Sequence, residues 1–259
     1  MENEKFGYIA IALIVLFGVV GVLMLEPIAQ DPEYHLFTDQ RTVFNIPNFW
    51  NVISSLPFLV VGVLGLYSIL RSHRACLIAE MKAAYILFFL GVSLVAFGSG
   101  YYHLRPDNAS LVWDRIPMSV AFMALFSIII AEFVSLRWGS LLLWPLVLFG
   151  VFSVIYWYGT ESGCEGDLRF YSLVQFLPVL VMPLMLLFFK PGFTGTSGYW
   201  YLLGAYVVGK VFEYFDGFTQ DMLFFLSGHS MKHLVVAIGV ALLLKAYNNR
   251  RLMQHGRLE

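Results

Sequence analysis

The sequence predicts an all-α membrane protein, a bundle of seven transmembrane helices with one additional transmembrane helix at the N-terminus. Charged residues make up 13% of the 259 residues, and hydrophobic residues make up 59%. Soluble domains carry about 25% charged residues, so this chain has too little charge to cover a surface that faces water. Its apolar residues are gathered into runs of roughly 20, the length that crosses a bilayer.

The overall charge and the cysteine content exclude several classes of protein. The net charge of −1 provides no basic surface, and we expect no nucleic-acid partner. The two cysteines, Cys76 and Cys164, form no CxxC motif. This excludes a thiolate zinc site and a disulfide framework.

The first apolar run, residues 6–25, is predicted to be a retained transmembrane helix. A cleaved signal peptide is the competing interpretation, but the apolar core is long and no A-x-A-like site follows it. Residues 1–27 are therefore expected to be an addition to a seven-helix body that spans residues 28–259. The spans of that body are expected at residues 49–70, 83–104, 113–134, 139–158, 170–189, 198–216 and 228–247.

Lysine and arginine are distributed unequally between the two sides of these spans. The side of the termini has nine, namely Arg71, Arg74, Lys82, Arg137, Lys190, Lys245, Arg250, Arg251 and Arg257. The other side has four, namely Arg41, Arg105, Arg115 and Arg169, and they are outnumbered by Asp and Glu. Because the basic side of a membrane protein is cytoplasmic, we expect both termini in the cytoplasm and the acidic loops outside it.

Two histidines, His229 and His233, open the last apolar run four residues apart. On a helix this spacing stacks both imidazoles on one face, where they can bind a single zinc ion. A polar helix end is the alternative interpretation of the pair. Ionisable groups at membrane depth are costly and usually functional, which favours the metal site.

A second group of polar residues is expected at the same side of the membrane. Ser99 and His103 are again four residues apart, at the end of the third span, and Asp114 follows at the start of the fourth. Three histidines with an open fourth position are typical of a catalytic zinc site. A nearby carboxylate can act as general base, and a hydroxyl can stabilise an oxyanion.

Each of these residues also has a structural interpretation. His103 is compatible with a role as an interfacial helix cap, and Asp114 with a carboxylate favoured by the helix dipole. Ser99, which lies between two glycines, is compatible with a small-residue packing site. The predicted convergence of all of them on one side of the membrane favours the chemical interpretation.

The combination of Ser99-x-x-x-His103, Asp114 and His229-x-x-x-His233 resembles the alkaline ceramidase family of transmembrane hydrolases. The segment from Pro47 to Phe58, PNFWNVISSLPF, is similar to the first core helix of that family. The resemblance extends from about Asp31 to Tyr247 and leaves out the leading helix. It implies a seven-helix fold and hydrolysis of a sphingolipid amide to a fatty acid and a sphingoid base.

The resemblance also implies a role for each matching residue. His103, His229 and His233 correspond to the zinc ligands of the family. Asp114 corresponds to the carboxylate that activates the hydrolytic water, and Ser99 to the serine near the oxyanion.

The calcium site of the family is matched less well by this sequence than the zinc site. Animal members of the family carry a glutamate just before the Phe-Trp-Asn motif, and this chain has Asn48 at that position. The upstream acidic residues Asp31, Glu33 and Asp39 are also spaced differently. These four residues remain the candidates for Ca²⁺.

Three charged residues lie in the seventh span of the body or at its end. Lys210, Glu213 and Asp216 are three residues apart and are expected to share a helix face inside the bundle. A charge-paired strut is favoured over contact with substrate.

The sequence thus predicts a membrane zinc amidohydrolase whose N-acyl lipid substrate enters laterally from the bilayer. One alternative is a receptor of the progestin and adipoQ type, which resembles this chain in its histidines. Those receptors hold their metal at the cytoplasmic face, whereas the charge distribution here places it outside. A second alternative is a protein that only holds a metal ion, and Asp114 argues against it. The sequence leaves the oligomeric state open.

Overall fold

A computed structural model of the protein describes residues 2–72, 74–163 and 166–253. These residues form long helices and contain no named strand, which confirms the predicted all-α membrane fold. The helices are α1 Glu2–Met24, α2 Phe49–Ile53, α3 Leu56–Leu70, α4 Lys82–Leu104, α5 Asn108–Ile129, α6 Leu136–Ser162, α7 Arg169–Phe188, α8 Ser197–Tyr214, α9 Asp216–Leu223 and α10 Gly228–Asn249.

Seven segments of the described chain are long and apolar enough to cross a membrane, and the protein is a multi-pass integral membrane protein. Helix α8 is not among the seven, although it lies where a span is predicted. Its tyrosines, together with Lys210 and Glu213, lower its hydropathy. It nevertheless packs along α10. The additional helix α1 packs against α7.

The first span of the body is broken where a single helix was predicted. Helix α2 ends at Ile53 and α3 starts at Leu56, with Ser54 and Ser55 between them. Pro57 explains the break, because proline has no N–H and its ring collides with the carbonyl four residues earlier. The break places the buried hydroxyls of Ser54 and Ser55 beside the candidate site.

Side-chain caps fix the starts of the two helices that carry the candidate site. Asp107 accepts a hydrogen bond of 2.7 Å from the N–H of Ser110, which starts α5. That hydrogen bond lowers the pKa of the Asp107 carboxyl. Ser227 accepts a 3.3 Å hydrogen bond from the N–H of Ser230 and starts α10 in the same way.

One expected grouping of charges is wrong. Lys210 and Glu213 share a face of α8, but this helix ends at Tyr214 and Asp216 begins the separate helix α9. Asp216 instead accepts hydrogen bonds from the N–H groups of His229 and Thr38, so it does not belong to a strut with the other two residues.

A buried ion pair holds the opposite end of the bundle together. Arg250, just after α10, donates two hydrogen bonds to Glu132, at 2.7 and 2.9 Å. The hydroxyls of Tyr85 and Tyr199 also donate to this carboxylate. Because both charges are buried and hydrogen-bonded, the cluster ties α4, α8 and the end of α10 to the π-helical turn that follows α5.

Candidate metal centre

Three histidines from two helices converge inside the bundle. His103 comes from the end of α4, and His229 and His233 come from the first turns of α10. Their side chains are buried, with exposed fractions of 1%, 8% and 6%. The ring centroids are 4.9 to 5.2 Å apart, and one nitrogen of each ring lies within 4.8 Å of those of the other two. The cluster of three histidines that their spacing in the sequence predicted is therefore present in the structure.

Two glycines allow the helices of the site to approach closely. A Cβ atom at Gly98 of α4 would collide with the carbonyl of Trp113, so α4 and α5 are in backbone contact next to Asp114. A Cβ atom at Gly228 would collide with the carbonyl of Phe212, which brings the start of α10 against the end of α8. Larger side chains at either glycine would push the site helices apart.

Hydrogen bonds from the loops fix the histidine backbones. The side-chain amide of Asn48 donates to the carbonyl of His103 at 2.8 Å. The carboxylate of Asp216 accepts from the N–H of His229 at 2.6 Å and from the N–H of Thr38 at 3.3 Å. Asp216 thus anchors the start of α10 to the loop that precedes α2.

That loop also places an aromatic ring over the histidines. The ring of Phe37 lies 4.7 Å from the ring of His103 and 5.1 Å from that of His229, measured between centroids. Phe37 is itself buried. Its apolar ring separates this side of the cluster from water.

Ser54 orients His233. Its hydroxyl donates to the carbonyl of Asn51 at 3.1 Å and lies 2.9 Å from Nδ1 of His233. This network assigns the hydrogen of the imidazole to Nδ1, which leaves Nε2 free to bind a metal ion. Asn51 accepts a further 2.7 Å hydrogen bond from the hydroxyl of Ser230 and so couples α2 to α10.

The donor set fits a divalent metal ion. All three donors are imidazoles, which suit zinc and other transition metals. The Nδ1 atom of His103 is buried and makes no hydrogen bond within the described part of the chain, which is costly unless another partner satisfies it. The three histidines can therefore hold a metal ion.

Asp114 and Ser99 lie next to this cluster. Both line a cavity of about 330 Å³ that also reaches His233, and we call it the polar cavity. The Ser99 hydroxyl lies 3.0 Å from the hydroxyl of Ser55. A carboxylate, a hydroxyl and a metal ligand thus face one space large enough for several water molecules.

Three charged side chains line another wall of the polar cavity. Glu213 accepts from Lys210 at 2.7 Å and from Lys232 at 2.6 Å, so it is engaged by two ammonium groups. Lys232 lies between the histidines of α10, and its Nζ is 3.4 Å from Nε2 of His229. Lys232 stands directly before His233 in the chain, and no spacing pattern identified it as part of the site.

The expected calcium ligands do not come together. Asp39 is buried and paired with Arg41, which donates to its two oxygens at 2.8 and 2.7 Å. Asp31 caps the short turn that contains Glu33 and accepts the N–H of that residue. Asn48 directs its amide to the carbonyl of His103. Among the described residues, Asp31, Glu33 and Asp39 form no group that could hold a metal ion, and Arg41 engages both oxygens of Asp39, so the structure does not support the calcium site.

An apolar pocket continues from the polar cavity toward the middle of the bundle. Its walls include Phe88, Leu125, Met182, Leu202 and Val240. The residues that line both spaces are Phe58, Val95, Met118, Phe122, Tyr206 and Val236. The two spaces are therefore adjacent, with the carboxylate of Asp114 in the polar one alone.

Sequence reasoning did not identify Phe37, Asn51 and Ser54 as parts of the site. A usable signal existed for two of them. Asn51 and Ser54 are polar residues inside an otherwise apolar span, and such residues usually have a specific partner. No comparable signal identified Phe37, because an aromatic residue in a loop is common.

Comparison with known proteins agrees with the geometry. A family model described as Ceramidase matches residues 41–186, more than half of the chain. The matched segment includes Ser99, His103 and Asp114, and the histidines of α10 lie beyond it. No curated protein matches the chain at a significant level. The chain belongs to the ceramidase family.

Proposed function

We propose that the protein is an integral-membrane zinc amidohydrolase that cleaves the amide bond of ceramide or a related N-acyl lipid. The products are a fatty acid and a sphingoid base or another amine. The observation that carries the proposal is the shared cavity of Asp114, Ser99 and His233, in a chain of the ceramidase family. A protein that only stores a metal ion would not need a carboxylate and a hydroxyl facing that space.

Each polar residue has a distinct task in this proposal. His103, His229 and His233 would hold the zinc ion, which supplies a Lewis acid that acidifies water and polarises a carbonyl. Asp114 takes a proton from the attacking water as the new C–O bond forms. Ser99 donates a hydrogen bond to the amide oxygen as negative charge develops there. Asp114 then returns the proton to the nitrogen as the C–N bond breaks.

The lipid chain is proposed to occupy the apolar pocket. That pocket contains no charged side chain, and transfer of hydrocarbon to such a surface is favourable. Helices α7 and α8 both line it, yet they barely contact each other among the described residues. We therefore propose that the substrate enters laterally from the bilayer between α7 and α8.

The orientation in the membrane is part of the proposal. Nine Lys or Arg residues on the side of the termini, against four on the other, favour a cytoplasmic location of both termini. The metal centre would then face the periplasm, the exterior or an organelle lumen. Both the family match and this charge distribution favour the hydrolase over the receptor alternative.

The test is identification of the products of the purified protein. We expect incubation with ceramide or an N-acyl amine in heavy-oxygen water to release a fatty acid with one labelled oxygen and the free amine. Both products should appear in equal amounts in mass spectrometry. Absence of hydrolysis across a panel of N-acyl lipids, with metal supplied, would refute the proposal.

A further inference from the structure

Arg115 is a buried cation that lies beside Asp114 but forms no salt bridge among the described residues. Its exposed fraction is 5%, and in the described chain no acidic group forms an ion pair with it. One terminal nitrogen, Nη2, donates to Oε1 of Gln30 at 2.7 Å. The other, Nη1, is buried and has no hydrogen-bond partner among the residues that the structure describes. A buried guanidinium left in this state is costly unless a further partner is provided.

Aromatic rings fix the guanidinium group in position. Its central carbon lies 4.3 Å from the ring centre of Trp157, 4.6 Å from that of Tyr171 and 5.6 Å from that of Tyr34. Stacking on aromatic faces offsets part of the cost of burial and holds the planar fork in one orientation. A fixed fork of N–H donors is suited to binding a carboxylate or phosphate.

Arg115 also lines the polar cavity, next to the residue proposed as general base. Three cationic side chains, Arg115, Lys210 and Lys232, line that cavity, against the two carboxylates of Asp114 and Glu213. A bound zinc ion adds further positive charge. A neutral amide does not need this excess, whereas an anionic ligand would compensate it.

The position of Arg115 indicates which half of the substrate would carry the anion. The apolar pocket, proposed for the acyl chain, does not include Arg115. The groups around its guanidinium come from the loop after α1, the end of α6 and the start of α7. The amide would lie beside Asp114, between the acyl chain on one side and Arg115 on the other.

We propose that Arg115 forms an anion-binding subsite, so that the preferred substrate is an N-acyl amide with a carboxylate or phosphate on its amine half. This inference rests on the proposed amidohydrolase function. It narrows the proposed substrates, ceramide and related N-acyl lipids, to those N-acyl lipids that carry an anionic group on the amine half.

The experiment compares substrates with one acyl chain and different amine halves. N-palmitoylglycine carries a carboxylate, N-palmitoyl-phosphoethanolamine carries a phosphate, and N-palmitoylethanolamine and ceramide are neutral. We expect the wild-type protein to have a kcat/KM for at least one anionic amide roughly tenfold or more above that for the neutral amides. Comparison of kcat/KM for the two anionic amides shows whether the subsite prefers a carboxylate or a phosphate.

Variants separate the subsite from a structural role. Arg115→Gln should lower kcat/KM for the anionic amide by roughly tenfold to a hundredfold and change the neutral amides much less. Arg115→Lys should retain part of the preference because it keeps the charge. Arg105→Gln is the matched control, since its side chain is 77% exposed and does not line the cavity. It should behave as the wild type.

A binding measurement keeps this inference separate from the proposed function. Thermal stabilisation of the wild type should be larger with the anionic amides than with the neutral ones, and Arg115→Gln should remove that difference.

The outcomes separate the two proposals. If the wild type hydrolyses neutral amides equally well, or if Arg115→Gln lowers kcat/KM for all substrates alike, the subsite is refuted and the hydrolase stands. If no amide is hydrolysed but Arg115-dependent binding of the anionic lipids persists, the proposed reaction is refuted and the subsite stands. If Arg115→Gln does not fold, the preference of the wild type among the four lipids decides.

Discussion

Replacement of Asp114 by asparagine separates catalysis from metal binding. The amide has the size of the carboxylate but cannot accept the proton of water. Loss of a general base lowers a rate by about a hundredfold to ten-thousandfold, which corresponds to roughly 2.7 to 5.4 kcal/mol of barrier. Glu213 is the other carboxylate that lines the polar cavity within the described chain, and two lysines engage it. Because it cannot readily act as a substitute base, we expect the loss to fall in the upper part of this range.

The assay measures metal content and the rate of amide hydrolysis on the same purified sample. Asp114→Asn should keep its zinc and its affinity for the lipid, because the loss falls on the transition state. Asp107→Asn is the control, since this residue caps the same helix from outside the cavity. It should cost about 1 kcal/mol or less in stability and leave the rate nearly unchanged. Near-normal turnover of Asp114→Asn would remove Asp114 from the mechanism, and loss of zinc would make it a ligand instead.

Three further predictions concern the support of the metal, the stability of the bundle and its orientation. Ser54→Ala removes the nearer of the two hydroxyls beside Nδ1 of His233, at 2.9 Å against 3.4 Å for Ser55, and should weaken metal binding about tenfold to a hundredfold in chelator competition. Ser93→Ala is the control, because its hydroxyl donates to the carbonyl of Phe89 within α4. Equal metal affinities of the two variants would contradict the assignment. Glu132→Gln leaves Arg250 buried without its ion pair and should lower the free energy of unfolding by about 3 to 5 kcal/mol. Glu80→Gln, at an exposed position, is the control. A loss of stability no larger than that of the control would refute the role of the pair. For the orientation, Arg105 and Arg251 are each replaced by cysteine in a Cys76→Ser, Cys164→Ser background. On intact cells, a membrane-impermeant thiol reagent should label the cysteine at position 105 and not the one at position 251. The reverse pattern would place the metal centre on the cytoplasmic side.

The helices were largely predictable because lipid imposes a simple constraint on sequence. A segment that crosses the bilayer must be long, apolar and hydrogen-bonded within itself, and such segments are visible without a structure. The break before α3 was also encoded, since Pro57 follows two serines in an apolar run. The histidine cluster was predictable because a spacing of four residues fixes a helix face.

Other features depend on contacts between distant segments and could not be read from spacing. The Glu132–Arg250 pair joins residues separated by 118 positions, and periodicity carries no information about such partners. Asp216 was misplaced because its partners, the N–H groups of His229 and Thr38, lie 13 and 178 positions away in the chain. The calcium candidates are a different case, because Arg41 lies two residues after Asp39 and pairs with its carboxylate, a local contact that the sequence could have suggested.

The central claim is that the three histidines hold a zinc ion on which amide hydrolysis depends. The most direct measurement is the zinc content and lipid hydrolysis of the same purified protein before chelation, after chelation and after zinc is restored. We expect about one zinc ion per chain, loss of both zinc and activity on chelation, and recovery of both on addition of zinc. The variant with His103→Ala, His229→Ala and His233→Ala should bind no stoichiometric zinc and release no fatty acid. Retention of zinc by that variant, or full hydrolysis by the metal-free wild type, would contradict the account.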